Sequence, residues 1–270
     1  MPTTRTFDST TVVALADGEG PFFDRREIVF PDATAAQWSE ADSRDPSSVR
    51  DGAWWLRFHC FAIRLGSGRV ILVDTGIGSA TAPARSWAPV PGQLPAELGA
   101  AGIEAADVDT VVLTHMHTDH IGWSIDDSGA AFFPNARYLL QQNEIDAIDA
   151  NAPGVADWLL KPLRGSGQLS AVDGQETLSE GLTVIATPGH TPGHQSVLLE
   201  TDDERLLITG DLLVHVLQLI DPSLRYQHEQ DPELARTSRT ALLNDLAARG
   251  AVVLATPHLG VPFVALPLTK

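Results

Sequence analysis

The sequence predicts an α/β fold. Apolar, β-branched runs alternate with helical patterns in two passes along the chain. Four of those runs lead straight into side chains that bind metals, at the C-terminal strand ends where open α/β sheets hold their ligands. Glycine or proline stands beside most of these groups, fixing tight turns that hold a side chain in place.

In chain order, Thr11 to Ala16 reads as a strand. Asp17 to Gly52 carries an aromatic and charged patch, Phe22-Phe23-Asp24-Arg25-Arg26, and a short helix around Thr34 to Ala41, and is expected to act as an N-terminal lid or extension. Trp54 to Leu65 and Arg69 to Val73 predict a hairpin around Gly66-Ser67-Gly68. Leu94 to Ala101 predicts a helix closed by Gly102, and Val108 to Leu113 a buried strand. The second pass has Arg137 to Leu140 as a strand and Asn143 to Ala150 as a helix. Leu182 to Ala186, Ser196 to Leu199 and Leu206 to Ile208 read as strands, Pro232 to Ala248 as an amphipathic helix before Gly250, and Val252 to Leu254 as the last buried strand. Gly78 to Pro91 and Ala152 to Gly167 are expected to be long ordered binding loops. No linker divides the pattern, so a single domain over residues 1–270 is expected.

Thr114 to His120, written THMHTDH, places four metal-capable side chains, His115, His117, Asp119 and His120, in six residues. Imidazole and carboxylate are the donors that borderline divalent cations prefer. Residues two apart share a side in an extended segment and not on a helix, so His115 and His117 can grip one ion together. His190 and His194 follow Leu182 to Ala186, Asp211 follows Leu206 to Ile208, and His258 follows Val252 to Leu254.

Composition narrows the partners. The 270 residues are 43 % hydrophobic, and no segment approaches the ~20 apolar residues that span a bilayer. A net charge of −17 argues against nucleic acid, which needs a basic face, and disfavours strongly anionic substrates unless a metal supplies positive charge. Cys60 is the only cysteine, so no intramolecular disulfide forms, and its apolar neighbours predict a buried thiol. With no apolar leader after Met1, a cytoplasmic protein is expected, acting on a small molecule, with a homodimer left open.

The order THMHTDH, then Gly189-His190-Thr191-Pro192-Gly193-His194, then Gly210-Asp211, then Pro257-His258 resembles the metallo-β-lactamase fold superfamily. The resemblance spans nearly the whole chain, from Val70-Ile71-Leu72-Val73-Asp74-Thr75-Gly76 to His258, and is greatest to the N-acyl-homoserine lactonase and methyl parathion hydrolase-like branch. It implies a four-layer αββα sandwich of two similar halves with metals at one edge of the sheets. It also implies two divalent ions, zinc first, with iron, manganese and cobalt as alternatives. His115, His117 and His190 would bind one ion, Asp119, His120 and His258 the other, and Asp211 both.

That resemblance makes the expected protein a zinc-dependent hydrolase, in which a metal-bridging hydroxide attacks a lactone or carboxylic ester of a small, fairly apolar molecule. Asp119 and Asp211 are the expected proton acceptors. His215, four residues after Asp211, is a third catalytic candidate, expected to reach substrate or a ligand. Asp74 is expected to orient a ligand histidine, and His194 to act as a hydrogen-bonding residue outside the ligand set. Trp54, Trp55, Trp87 and Trp123 are candidates to wall the pocket, and His59 and His228 are expected in core or surface roles. N-acyl-homoserine lactonases often carry a tyrosine shortly after the bridging aspartate. Here residues 212 to 216 are Leu, Leu, Val, His and Val, which points to a broader lactone or ester hydrolase. Organophosphate or thioester hydrolysis is the alternative chemistry, and a non-catalytic metal-stabilised binding protein or an iron redox protein the alternative class.

Overall fold

A computed structural model describes residues 2–266; Met1 and residues 267–270 lie outside the described residues. Two sheets stack face to face. The first has eight strands, ordered β1 (Thr3–Phe7), β2 (Thr10–Pro21), β4 (Ala53–Arg64), β5 (Val70–Val73), β6 (Val108–Val112), β7 (Arg137–Gln141) and β8 (Leu169–Val172), with the short β3 (Val49–Arg50) pairing with β4. The second has six, ordered β14 (Phe263–Leu266), β13 (Val252–Ala255), β12 (Arg205–Ile208), β11 (Gln195–Glu200), β10 (Leu182–Ala186) and β9 (Gln175–Ser179). Pairing is parallel from β5 through β8 and between β12 and β13.

Strand alternation sorts the apolar side chains into layers. Ile71 and Val73 of β5, Val112 of β6, Val197 and Leu199 of β11, and Leu206 and Ile208 of β12 fill the space between the sheets. Their neighbours Val70, Leu72 and Val111 point outward, onto Leu94 and Leu98 of the helix Leu94–Ala100 and Ile145 and Ile148 of the helix Gln142–Asn151. On the opposite outer face, Leu198, Leu207, Val252 and Leu254 pack on Leu243 and Leu246 of the helix Pro232–Ala248. Each fully buried Val, Leu or Ile contributes roughly 1.5–3 kcal/mol relative to exposure, so a one-residue slip in any of these strands would be strongly disfavoured. The result is the four-layer αββα sandwich. Among the described residues no helix is long and apolar enough to cross a membrane.

β4 is the longest piece of the first sheet together with β2, at twelve residues, or about 40 Å at ~3.3 Å per residue. It outruns the four-residue β5. Its second half places Cys60 and Ala62 in the outer core of the first sheet. Its first half instead carries Trp54, Leu56 and Phe58 into a cluster with Val29, Phe30 and residues 212 to 226.

The expected elements recur with small shifts; the helix Ala35–Arg44, for instance, starts after Thr34, whose side chain accepts from Gln37 N. One expectation is corrected. Residues 152 to 167 are helical, as Pro153–Val155, a π-helical stretch Ala156–Leu160, and Lys161–Gly165, with Leu159, Leu160 and Leu163 fully buried. Pro153 stands in the first turn, where a missing N–H costs nothing, and Pro162 lies inside the same unbroken helical run, directly after the π-helical stretch. Val252–Ala255 is the last fully buried strand, and the mostly exposed or half-buried β14 follows it. β1, β9 and β14 escape a sequence reading because they are short edge strands with mostly exposed or half-buried residues.

Candidate metal centre

Four strand ends converge from both sheets on one edge of the sandwich. β6 runs into His115 and His117 and then the short helix Thr118–Ile121, which carries Asp119 and His120. β10 runs into the turn with His190 and His194, β12 into Asp211, and β13 into His258. The side chains form two groups. In one, ligand atoms of His115, His117, His190 and Asp211 all lie within 4.8 Å of one another; in the other, those of Asp119, His120 and His258 do.

Asp211 faces both groups. Its Oδ2 lies 3.2 Å from His190 Nε2 and 3.7 Å from His115 Nε2, while its Oδ1 lies 3.0 Å from His258 Nε2 and 3.3 Å from His120 Nε2. Asp119 Oδ2 is 3.5 Å from His120 Nε2 and 3.7 Å from His258 Nε2. All seven residues singled out in the sequence as ligands are therefore brought together.

Their surroundings fit cations. His117 Nδ1 faces both His115 Nε2 and His190 Nε2 at 2.9 Å, and a shared cation satisfies three converging ring nitrogens where one proton cannot. His120 Nε2 and Asp211 Oδ1 are buried without a protein hydrogen bond. Three far ring nitrogens are already engaged. His120 Nδ1 is 2.7 Å from Asp74 Oδ2, His258 Nδ1 is 2.8 Å from the Arg57 carbonyl, and His115 Nδ1 is 3.0 Å from Thr114 Oγ1. Each contact turns the opposite nitrogen's lone pair toward the centre. Burial, reinforced by neighbouring histidines, pushes His115 and His117 well below the usual imidazole range, keeping them neutral as metal donors must be. Burial also opposes charge on His120, yet Asp211, Asp119 and Asp74 raise it well above that range. The same carboxylate field that would hold a proton there favours a cation.

Surrounding residues hold these loops. His194 Nε2 accepts from Asp211 N at 2.9 Å, so it orients the backbone of Asp211. Gln195 N donates to Thr114 O at 2.9 Å, and Gln195 Nε2 to Leu113 O at 2.8 Å, tying β11 to the end of β6. Buried Glu144 accepts from Met116 N and Gly193 N, both at 2.8 Å.

A cavity of about 470 Å³ opens over the centre, with His117, Asp119, His190, Asp211 and His258 in its floor. Its walls are mainly apolar and include Phe22, Trp54, Leu56, Trp87, Val155 and Val214; among the described residues no Lys or Arg lines it. His228 also lines it, its Nε2 3.0 Å from Asp24 Oδ2 at the end of the Phe22-Phe23 patch. Tyr226 stands on the wall with its ring parallel to that of His190, centroids 6.0 Å apart. Sequence reasoning offered no signal for Tyr226 or Glu144, which stand alone in their segments.

Three candidates sit elsewhere. His215 is fully buried outside the cavity lining, with its ring centroid 5.5 Å from those of Phe30, Trp38 and Trp54. Its Nδ1 accepts from Leu217 N at 3.1 Å, and burial lowers it to about 3. The turn at Gly210–Leu212 sends Val214 to the cavity and His215 away from it. Trp55 packs under the Arg50 guanidinium instead of lining the pocket, and Trp123 donates from Nε1 to Asp17 Oδ1 at 3.0 Å. His59 donates from Nδ1 to the Pro257 carbonyl at 3.1 Å, behind His258.

The model of the Metallo-beta-lactamase superfamily matches residues 55–258. The chain belongs to the metallo-beta-lactamase superfamily. Curated proteins share part of the sequence. An N-acyl homoserine lactonase AttM of Rhizobium radiobacter is 33 % identical over 131 residues, 43 % of this chain and 45 % of that protein. An N-acyl homoserine lactonase of a Bacillus species is 31 % identical over 101 residues, 37 % of this chain and 36 % of its own length. The chain thus spans less than half the length of these relatives in each match. Solved superfamily structures share the fold throughout. The hydrolase AbOPH matches with a TM-score of 0.79 at 24 % identity, and AidC, a dizinc quorum-quenching lactonase in complex with a product, with 0.80 at 22 %; each match covers 100 % of this chain and 98 % of the other.

Proposed function

We propose that the chain is a dinuclear metal-dependent hydrolase that opens a lactone or carboxylic ester of a small, neutral, apolar molecule. One observation carries this: Asp211 directs one carboxylate oxygen to each of two histidine groups, beneath an aromatic-walled cavity that no Lys or Arg among the described residues lines. A cavity without cationic groups does not select an anionic thiol conjugate, and it suits an uncharged substrate. The N-acyl homoserine lactonases that share part of the sequence support an ester-like lactone as the bond attacked.

In this reading His115, His117 and His190 would hold one ion, Asp119, His120 and His258 the second, and Asp211 would serve both. Zinc is the ion first expected of such an N/O donor set. Two such ions supply Lewis acidity and an activated water at neutral pH. The protein's own groups do the rest. Asp119, half-buried at the cavity floor, is placed to take the proton released in attack and return it to the leaving alkoxide. Phe22, Trp54, Leu56, Trp87 and Val155 exclude water around the acyl portion. Residues 17–52 act as an extension of one 1–270 domain, bringing Phe22 and Phe23 to the cavity mouth. The chain acts in the cytoplasm, and sedimentation tells a homodimer from a monomer.

The test is metal analysis of the purified protein alongside lactones, aryl esters, thioesters and phosphotriesters. His115→Ala and Asp211→Ala are expected to lose metal and hydrolysis together. Undiminished hydrolysis in a variant shown to be metal-free would overturn the proposal, and turnover of phosphotriesters alone would move it to the organophosphate reading that a neutral cavity also allows.

A further inference from the structure

Glu144 belongs to neither ligand group, yet it lies where the two halves of one group meet. It sits in the first turn of the helix Gln142–Asn151 and is fully buried. Its Oε1 accepts from Met116 N at 2.8 Å, the amide between His115 and His117. Its Oε2 accepts from Gly193 N at 2.8 Å, the amide between His190 and His194. The first segment follows β6 of the eight-stranded sheet, and the second connects β10 to β11 of the six-stranded sheet. No sheet ladder registers one against the other, and beside Glu144 their outer ends are tied by Gln195, which donates to Thr114 O and Leu113 O.

The contact is close-packed. A Cβ on Gly193 would run into the backbone and Cβ of Glu144, so the loop comes as near as it does because that side chain is missing. The donor chemistry is selective as well. Two N–H groups approach from opposite loops, and only an ionised carboxylate offers an acceptor at both ends; a glutamine amide would turn an NH2 donor toward one of them. Burying a carboxylate is costly unless charge-assisted hydrogen bonds offset it, and here each oxygen has one.

We propose that Glu144 is a positioning residue that sets the spacing between the His115–His117 segment and the His190 turn, and thereby governs the first metal position and not the second. This rests on the metal reading of the site given above. Asp119, His120 and His258, which form the second group, donate no hydrogen bond to Glu144 among the described contacts.

The experiment compares parent, Glu144→Gln and Gly193→Ala proteins purified as zinc holoenzymes, by metal content and by titration with a competing chelator. Each site is also read by the visible spectrum after replacement with cobalt. The parent is expected to hold two ions per chain. Both variants are expected to keep one tightly and to bind the other about 10–100-fold more weakly, the range typical for loss of a group that orients metal ligands. Only the cobalt band of the weakened site should change. Gly193→Ala perturbs the same contact from the other side and leaves the carboxylate intact, so a folding failure in Glu144→Gln does not remove the test. Equal weakening of both ions, or parent-like affinity for both, overturns the proposal. A parent that binds no zinc overturns the metal reading itself, which is a distinguishable result.

Discussion

Asp74 Oδ2 stands 2.7 Å from Nδ1 of His120, and the same carboxylate accepts from Thr114 N at 2.7 Å and Thr114 Oγ1 at 2.8 Å. One buried acid at the end of β5 thus orients a histidine of the second group and anchors the start of the segment that carries the first. Its φ of +61° lies in the left-handed region, which asparagine tolerates. Asp74→Asn therefore removes the charge without adding backbone strain. It is expected to weaken metal binding about 10–100-fold, mainly at the His120 position, measured by chelator competition. Unchanged affinity would mean that Asp74 is only a turn residue.

Metal removal should cost stability as well as activity. Without cations, Asp211 and the converging imidazoles are buried with atoms that lack protein partners. Zinc bound only by the folded chain should stabilise it by about 2.7 kcal/mol per site at a free concentration 100-fold above Kd. Calorimetry with chelator and then with added zinc should show the unfolding temperature fall and recover by several degrees. A transition insensitive to both would count against the proposed ions.

His215 gives the fold an acid sensitivity that is separate from the centre. Burial first, and then the Arg26 charge, lower it from 6.5 to about 3 in the folded state. Between those values the unfolded chain binds the extra proton, so this contribution is complete above pH about 6.5 and is lost as pH falls toward 3. His215→Phe, which places an apolar ring among Phe30, Trp38 and Trp54, should lose less stability than the parent on going from pH 7 to pH 5, by about 2 kcal/mol. Denaturant midpoints at the two pH values measure this, and parallel losses in both proteins would refute it. Because His215 does not line the cavity, the variant should keep parent-like KM at pH 7.

The cavity wall should set chain-length preference. Phe22 packs against Trp54 and Trp87, with centroids 4.8 and 6.0 Å away, and faces the cavity. Phe22→Ala should lower kcat/KM for long acyl chains roughly tenfold or more, with little change for the shortest, since about 1.4 kcal/mol of lost apolar contact is a factor of ten. An equal fall for every chain length would place the effect in the metal centre instead.

All seven candidate ligands were legible in the chain, because each follows an apolar strand and tight turns leave their neighbours little freedom. The hairpin of β4 and β5, the helix Pro232–Ala248 and the buried Cys60 were legible for a similar local reason: periodicity and turn residues act over a few positions. His215 shows the limit. Four residues after Asp211 it looked like a pocket residue, and the backbone turn between them decides which way it faces. The segment 152–167 shows another, since it reads as a binding loop until the burial of Leu159, Leu160 and Leu163 shows that it coils into a helical run.

The sequence by itself determined the chemical inventory: which donors exist, that they close strands, and that an acidic chain lacks the basic face nucleic acid requires. Only the tertiary structure showed how closely the donors of each group converge, that Glu144 spans two loops, and that Phe22, Tyr226 and His228 form the walls. The division has a physical cause. Strand ends and turns are set by neighbours in the chain, whereas Met116 and Gly193, or Phe22 and His228, meet only because two sheets pack through their apolar faces and bring distant loops to one edge.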